Sequence, residues 1–212
     1  MNKALRYISI ALGAILHPLM MPAYGILMFC AAFSTQHGGL PTAYWLIATI
    51  ATFVLTAVIP LVIILIQIAQ GSVENIFMRI AAQRTTVYIY ALVCYGAWCY
   101  FLLQVLHAPL ALFLIGVAAT VALLCVLLIN LKWKISAHAT AIGGLIGGVF
   151  VYCYALGTTP MIWLMVVLLI VAWLLMCSRI YLDAHTPTQV TTGLLLGLTM
   201  ELGVLGILGI LG

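Results

Sequence analysis

The feature that most constrains the fold is a succession of long apolar runs, because a helix needs about twenty apolar residues to cross the hydrocarbon core of a bilayer. By this rule the 212-residue chain contains about seven candidate spans. They are 8–33, 45–69, 87–106, 110–131, 138–156, 161–177 and 187–211. Since helices satisfy their own backbone hydrogen bonds without water, the sequence predicts an all-α, polytopic transmembrane helical bundle with about six to seven spanning helices.

The composition agrees with a membrane protein and excludes most other classes. Hydrophobic residues make up 67% of the chain and charged residues 5%, whereas ordinary soluble domains carry about 25% charged residues. We therefore expect one integral-membrane domain over residues 1–212. The net charge of +4 is too small and too scattered to indicate a nucleic-acid partner. Lys3 and Arg6 imitate the start of a signal peptide, but the following run is long and contains Pro18 and Pro22, which favours an uncleaved first span.

The polar residues are concentrated in every second loop. The groups are Glu74, Arg79 and Arg84 between spans two and three, Lys132, Lys134, Ser136 and His138 between spans four and five, and Arg179, Asp183 and His185 between spans six and seven. Two spans separate each group from the next, so all three should emerge on the same membrane face. The loops predicted for the opposite face contain no Lys, Arg, Asp or Glu. Ionisable groups near the membrane are a functional-site hypothesis by default.

The last polar group stands just before a predicted helix start. Thr186 is typical of a helix N-cap, Pro187 suits the first helical position, and Gln189 completes a capping box. His185 should therefore lie beside free backbone N–H groups and the positive end of a helix dipole, where an anion is favoured. Arg179 adds a planar fork of donors that suits phosphate oxygens.

Two histidines at helix starts, with arginines from separate loops, suit phosphoryl transfer. One imidazole can attack phosphorus as a nucleophile while the other protonates the leaving oxygen. The arginines and the helix N–H groups would hold the remaining phosphate oxygens, where most of the catalytic stabilisation arises.

Three parts of the sequence also carry a family resemblance. They are Arg84, Ser136-x-His138 and Ser178-Arg179-x5-His185. Together they resemble the motifs of the type 2 phosphatidic acid phosphatase (PAP2) superfamily, small bacterial members above all, and the His185–Gly193 string (His-Thr-x2-Gln-Val-x2-Gly) is similar to dolichyl diphosphate phosphatases. The resemblance covers about residues 74–212, which would form a PAP2-like core. It implies a membrane enzyme that hydrolyses lipid phosphates through a phosphohistidine.

The resemblance also implies roles for individual residues. His185 becomes the nucleophile and His138 the general acid. The phosphate ligands become Arg84, Arg179 and Ser136, with Arg79 as a substitute for the family lysine, whose place is taken by Phe77. Gln189 stands where the family has the aspartate that orients the nucleophilic histidine. Its amide oxygen can fix the histidine tautomer but cannot neutralise a developing imidazolium.

Several interpretations stay open at the level of sequence. Gln189 is either the orienter of His185 or a capping-box residue, and His17 beside Pro18 is expected to bond a backbone carbonyl that the proline frees. The expected partners are the bilayer and a polyprenyl diphosphate or phospholipid phosphate, with no metal or cofactor. Alternatives are a lipid phosphotransferase and a non-enzymatic lipid-phosphate binder or transporter. A bacterial inner membrane is expected, with the site on the periplasmic face by resemblance, although Lys3 and Arg6 favour the cytoplasmic face.

Overall fold

The computed structural model describes residues 2–33, 40–73, 81–157 and 162–211. Within these ranges the protein is helical without strands, and seven helical stretches are long and apolar enough to cross a membrane. They are Lys3–Cys30, Thr42–Ala69, Ala82–Val105, Leu110–Asn130, Ala137–Ala155, Ile162–Tyr181 and Pro187–Ile210. The prediction of an all-α, multi-pass membrane protein is confirmed, whereas the single domain over residues 1–212 stays a prediction.

The described residues form nine α-helices, several of which share one span. They are α1 (Lys3–Ile15), α2 (Met21–Phe33), α3 (Thr42–Phe53), α4 (Ile59–Ala69), α5 (Ala81–Tyr100), α6 (Leu110–Asn130), α7 (Ala137–Ala155), α8 (Ile162–Tyr181) and α9 (Pro187–Leu211). A 3-10 turn at Pro18–Met20 joins α1 to α2, because a proline cannot continue the helix before it. A π-helical segment at Val54–Val58 joins α3 to α4, and another at Phe101–Val105 extends α5.

Two helices reach further into the predicted polar loops than the apolar runs indicated. Helix α8 ends at Tyr181, beyond the predicted Cys177, so Arg179 lies in its last turn and not in a loop. A cation in the last turn is favoured by the helix dipole. Helix α5 begins at Ala81, so Arg84 also lies on a helix. The hydropathy pattern marks the hydrocarbon core but not these polar helix ends.

Helices α7 and α9 form the closest pair in the bundle because glycines replace side chains at their contact. A Cβ atom at Gly197 would collide with the backbone oxygen of Thr140, and one at Gly143 would collide with the backbone oxygen of Leu194. Small residues at four-residue spacing allow such backbone approach in membranes. These glycines therefore serve the packing of α7 against α9.

This packing predicts a position-specific loss of stability. Gly197→Ala should destabilise the protein by about 1–3 kcal/mol, because the added methyl group forces α9 away from α7. Gly206→Ala on the same helix is the matched control, since a Cβ atom there meets nothing within 4 Å. Thermal unfolding in detergent measures both variants. Equal unfolding temperatures for the two variants would contradict this account of the α7–α9 contact.

Helix α1 lies against the ends of α7 and α8. The backbone oxygen of Asn2 accepts a hydrogen bond from Tyr181 Oη at 3.3 Å. Further along α1, the backbone oxygens of Ser9 and Gly13 accept hydrogen bonds from side chains of α8 and α7. The start of the chain and the 178–189 segment are therefore neighbours at one end of the bundle.

Candidate functional site

A cavity of about 660 Å³ lies among the helices. Most of its wall is apolar, and six basic or imidazole side chains also line it. These are His17, Arg84, Lys134, His138, Arg179 and His185. His138 and His185 come from different inter-helix loops and their flanking helices, yet they lie within electrostatic reach of each other, and both lie within reach of Arg179. The cavity thus has a cationic, histidine-bearing end, hereafter the polar end.

The position and tautomer of His185 follow from the start of α9. The Thr186 hydroxyl accepts the backbone N–H of Gln189 at 3.3 Å, and Gln189 Oε1 accepts the backbone N–H of Thr186 at 3.2 Å, which is the predicted capping box. The same Gln189 Oε1 lies 3.0 Å from His185 Nδ1. Since an amide oxygen only accepts, Nδ1 carries the proton, and Nε2 of His185 keeps its lone pair. Gln189 therefore caps α9 and also accepts a hydrogen bond from the His185 ring.

Burial keeps the imidazole of His185 neutral. The pKa of His185 is lowered to about 4, chiefly by removal of the ring from water and also by the nearby positive charges of Lys134, Arg84 and Arg179. The hydrogen bond to Gln189 acts in the opposite direction and raises the pKa. A neutral imidazole with a free Nε2 lone pair is the form that can act as a nucleophile.

The depressed pKa predicts how the reactivity of His185 depends on pH. Diethylpyrocarbonate acylates only neutral imidazoles, so His185 should remain reactive at pH values down to about 4. Free histidine derivatives should lose reactivity below about pH 6.5. Peptide-resolved mass spectrometry after a short pulse at each pH measures the two midpoints. A His185 midpoint at that of the free derivative would show that the ring is hydrated and easily protonated.

Two of the predicted site residues hold α1 in place. Nη2 of Arg179 donates to the backbone oxygen of Ser9 at 2.7 Å, and Nε2 of His138 lies 3.1 Å from the backbone oxygen of Gly13. Because a carbonyl oxygen only accepts, His138 carries its proton on Nε2, and Nδ1 is its remaining basic nitrogen. A Cβ atom at Gly13 would collide with the Arg179 guanidinium. Glycine at this position lets the arginine reach the helix backbone.

His17 is a third histidine of the site, which the sequence interpretation treated as structural. Its ring lies edge-on to that of His138, with 5.5 Å between centroids. Its Nδ1 accepts the backbone N–H of Leu19 at 3.4 Å and caps the 3-10 turn. The expected bond to a carbonyl freed by Pro18 is thus wrong, because the turn exposes an N–H group that the ring satisfies. The only sequence signal was a histidine inside an apolar run.

The cations from the earlier loops are also held in the cavity wall. Nε of Arg84 donates to Asn130 Oδ1 at 2.8 Å, and Asn130 Nδ2 donates to the Thr85 hydroxyl at 3.0 Å. This bridge ties the start of α5 to the end of α6. Lys134, from the polar group between spans four and five, lines the cavity and acts electrostatically on the His185 ring.

The remaining predicted residues lie elsewhere. Ser136 is fully buried, and its Oγ accepts the backbone N–H of Ala139 at 3.4 Å, so it caps α7 from behind the cavity wall. Gln189 likewise stands behind His185. Arg79, together with Phe77, lies outside the described residues. The polar end therefore brings together Arg84, His138, Arg179 and His185, and adds His17 and Lys134.

One further polar residue on the cavity wall escaped the sequence interpretation. Glu201 of α9 is 2% exposed and lines the cavity, with a carboxyl group beside the glycines of α7. An acidic residue inside a 25-residue apolar helix is the signal that identifies it. Across the described ranges, no three His, Cys, Asp or Glu side chains are grouped to hold a metal ion.

Comparisons with family models, with curated proteins and with solved structures found no match to this chain. The fold and the site define a multi-pass membrane protein with a cationic, histidine-bearing cavity. A functional assignment therefore depends on the chemistry of that cavity.

Proposed function

We propose that this protein is an integral-membrane lipid phosphate or diphosphate phosphatase that acts through a phosphohistidine on His185. The observation that carries the proposal is that His138 and His185 line the same cavity together with Arg84 and Arg179. The chain separates these groups widely, and gathering cationic groups on one apolar wall costs desolvation and mutual repulsion that a bound anion would offset. The arrangement suits an anion that accepts hydrogen bonds and undergoes nucleophilic attack.

The proposed reaction has two steps. In the first, Nε2 of His185 attacks phosphorus and the bond from phosphorus to the leaving oxygen breaks. His138, which takes up a second proton when the anionic phosphate binds beside it, gives that oxygen a proton. In the second, water attacks phosphorus, His138 takes a proton from this water, and the bond between phosphorus and His185 breaks to release phosphate. Gln189 holds His185 Nδ1–H throughout. The nearby arginines stabilise the charge on the phosphoryl oxygens.

Phosphate binding must change the contacts of α1. The guanidinium of Arg179 and the ring of His138 now donate to the carbonyl oxygens of Ser9 and Gly13. Phosphate oxygens are stronger acceptors for charged donors than neutral carbonyls are. We therefore expect the substrate phosphate to replace one or both carbonyl contacts, with α1 moving away from α8.

The apolar remainder of the cavity supports a lipid substrate. Beyond the polar end, the wall is formed by side chains such as Ile26, Leu112 and Val126. An apolar chain in this space gains hydrophobic contacts that a free sugar phosphate or nucleotide lacks. Polyprenyl diphosphates and phospholipid phosphates are the proposed substrate classes.

Phosphate release by the purified protein, without added metal, tests the proposal. A panel of polyprenyl diphosphate, phosphatidic acid and phosphatidylglycerophosphate should contain at least one substrate that releases inorganic phosphate. Transfer of the phosphoryl group to a lipid or saccharide acceptor, without inorganic phosphate, would instead identify a phosphotransferase. Binding of these lipids without any turnover would contradict both enzymatic functions.

A lipid-phosphate carrier is the second candidate, and Glu201 favours it. Carboxyl groups on intramembrane cavity walls mark ion and proton pathways in transporters. The neutral Gln189 in place of a family aspartate also fits a scaffold that binds phosphate without hydrolysing it. Uptake of a fluorescent lipid phosphate across the bilayer of proteoliposomes, with no phosphate release, would favour the carrier.

For localisation we propose a bacterial inner membrane with the polar end on the periplasmic side. The resemblance supports this side, whereas the positive-inside rule opposes it, since Asn2 lies beside Tyr181 at the polar end. Arg84, Lys134 and Arg179 line the cavity, so their position serves the site and weakens the rule. Impermeant maleimide on intact cells should label Ser72→Cys and not His107→Cys. The reverse pattern would place the site in the cytoplasm.

A further inference from the structure

Glu201 lies deep in the bundle at a position built to hold a carboxyl group. Its Cβ atom lies 2.7 Å from the position that a Cβ atom of Gly147 would occupy. Its carboxyl oxygens lie 3.8 Å from the Cβ position of Gly144 and 3.9 Å from that of Gly148. These glycines lie about 10–17 Å along α7 from its start, given 1.5 Å per residue. In a hydrocarbon core about 30 Å thick, this depth is close to the middle of the membrane.

The carboxyl group lacks the partners that a buried charge requires. Within the described part of the chain, Oε2 of Glu201 is buried without a hydrogen-bond partner. Its neighbours on α7 are the glycines, and Ile115 of α6 lies 3.4 Å from the Cβ position of Gly148. The other titratable or charged side chains on the cavity wall are His17, Arg84, Tyr88, Tyr95, Lys134, His138, Arg179 and His185. An unpaired carboxylate in apolar surroundings is costly, whereas a carboxylic acid is tolerated.

One face of α7 connects Glu201 to the polar end. His138, Ala141, Leu145 and Gly148 follow one another at spacings of three or four residues, which places them on one side of the helix. All four line the cavity, and so does Glu201. The cavity therefore extends along this face of α7 from the histidines to the carboxyl group, a distance of about 15 Å.

We propose that Glu201 is a proton-binding site inside the membrane, which carries a carboxylic acid and exchanges its proton with the polar end through this cavity. A metal cation is a poor alternative occupant of this site. Such ions need several oxygen ligands, and the cavity wall here is glycine and aliphatic. Glu201 would supply a proton to the phosphate chemistry of the polar end. Proton binding by Glu201 does not itself depend on phosphatase turnover.

Infrared spectroscopy tests the proposal, because the chain has only three Asp and Glu residues. In nanodiscs of an ether-linked phosphatidylcholine, which has no ester carbonyl to obscure the region, the protein at neutral pH should show one carbonyl band from a protonated side-chain carboxyl. Glu201→Gln should remove the band. The double variant Glu74→Gln/Asp183→Asn should keep the band, because Glu201 is then the one remaining acidic side chain. This variant also tests the proposal if Glu201→Gln fails to fold. A missing band in this double variant would overturn the proposal, as would a band that survives in folded Glu201→Gln.

Hydrogen–deuterium exchange of the same band tests the route. After transfer to D₂O the band should shift as the acid exchanges its proton, and Ala141→Phe should slow the shift at least tenfold by filling the cavity between His138 and Glu201. Leu195→Phe is the matched control, since Leu195 is 52% exposed on the outer side of α9. An exchange rate unchanged by Ala141→Phe would overturn the proposed route. Neither measurement uses a phosphate substrate, so failure here leaves the proposed phosphatase function to its own assay.

Discussion

Replacing His185 with alanine should reduce phosphate release by a factor on the order of 10³ or more, because the proposed mechanism forms the phosphoryl intermediate on Nε2 of this residue. The lone pair on Nε2 is available only because Gln189 holds the proton on Nδ1. Hydrogen bonds from Arg84 and Arg179 would persist, so substrate affinity should change by much less than turnover. Steady-state phosphate release and lipid binding, measured on the same preparation, separate the two effects.

His107→Ala is the matched control for this loss. His107 is exposed in the loop between α5 and α6, and it is not part of the cavity wall. Its removal should leave the phosphate release of folded protein unchanged. Both variants should fold, although alanine in the left-handed backbone conformation of His107 (φ 47°) costs some stability. Full activity of a folded His185→Ala variant would refute the phosphohistidine mechanism.

The second large effect concerns the residue that orients His185. Gln189→Leu removes the acceptor for His185 Nδ1–H and frees the ring to rotate and to change tautomer, so turnover should fall about 10²- to 10⁴-fold. Gln189→Glu is isosteric and keeps the capping box, but adds a charge that stabilises an imidazolium and raises the pKa of His185. Turnover should then rise about tenfold or more, if the neutral amide limits the reaction. Measurements of kcat and KM for the three proteins test this order.

A structural role of Gln189 predicts a different result. If the side chain only caps α9, Gln189→Leu should cost about 1 kcal/mol of stability and leave turnover of the folded protein unchanged. Gln189→Glu should then resemble the parent protein in both properties. The contrast between the leucine and glutamate variants therefore distinguishes an orienting residue from a capping residue.

The local sequence signals predicted the polar helix starts well. Helix α9 spans the predicted Pro187–Leu211, and its capping box forms through Thr186 and Gln189. These features depend on residues within a few positions of each other, so the sequence states them directly. The two interpretations of Gln189 were not alternatives, because one amide oxygen accepts from both Thr186 N–H and His185 Nδ1–H.

The contacts of α1 were beyond the reach of sequence patterns. They join Arg179 to Ser9 and His138 to Gly13 across more than a hundred residues, and they use backbone oxygens that every residue type carries. The same limit applies to Glu201, whose surroundings depend on how α7 approaches α9. Hydropathy and spacing identify which residues are costly in a membrane, but only the packing shows what they face.

The most direct test of the account is to find where the phosphoryl group goes during turnover. The purified protein is mixed with lipid phosphate, quenched within one turnover under alkaline conditions, and digested for peptide mass spectrometry. The account predicts a phosphoryl group on His185 that is stable in base and lost in acid. Release of phosphate with no phosphorylated intermediate, or with the phosphoryl group on a residue outside the polar end, would contradict it.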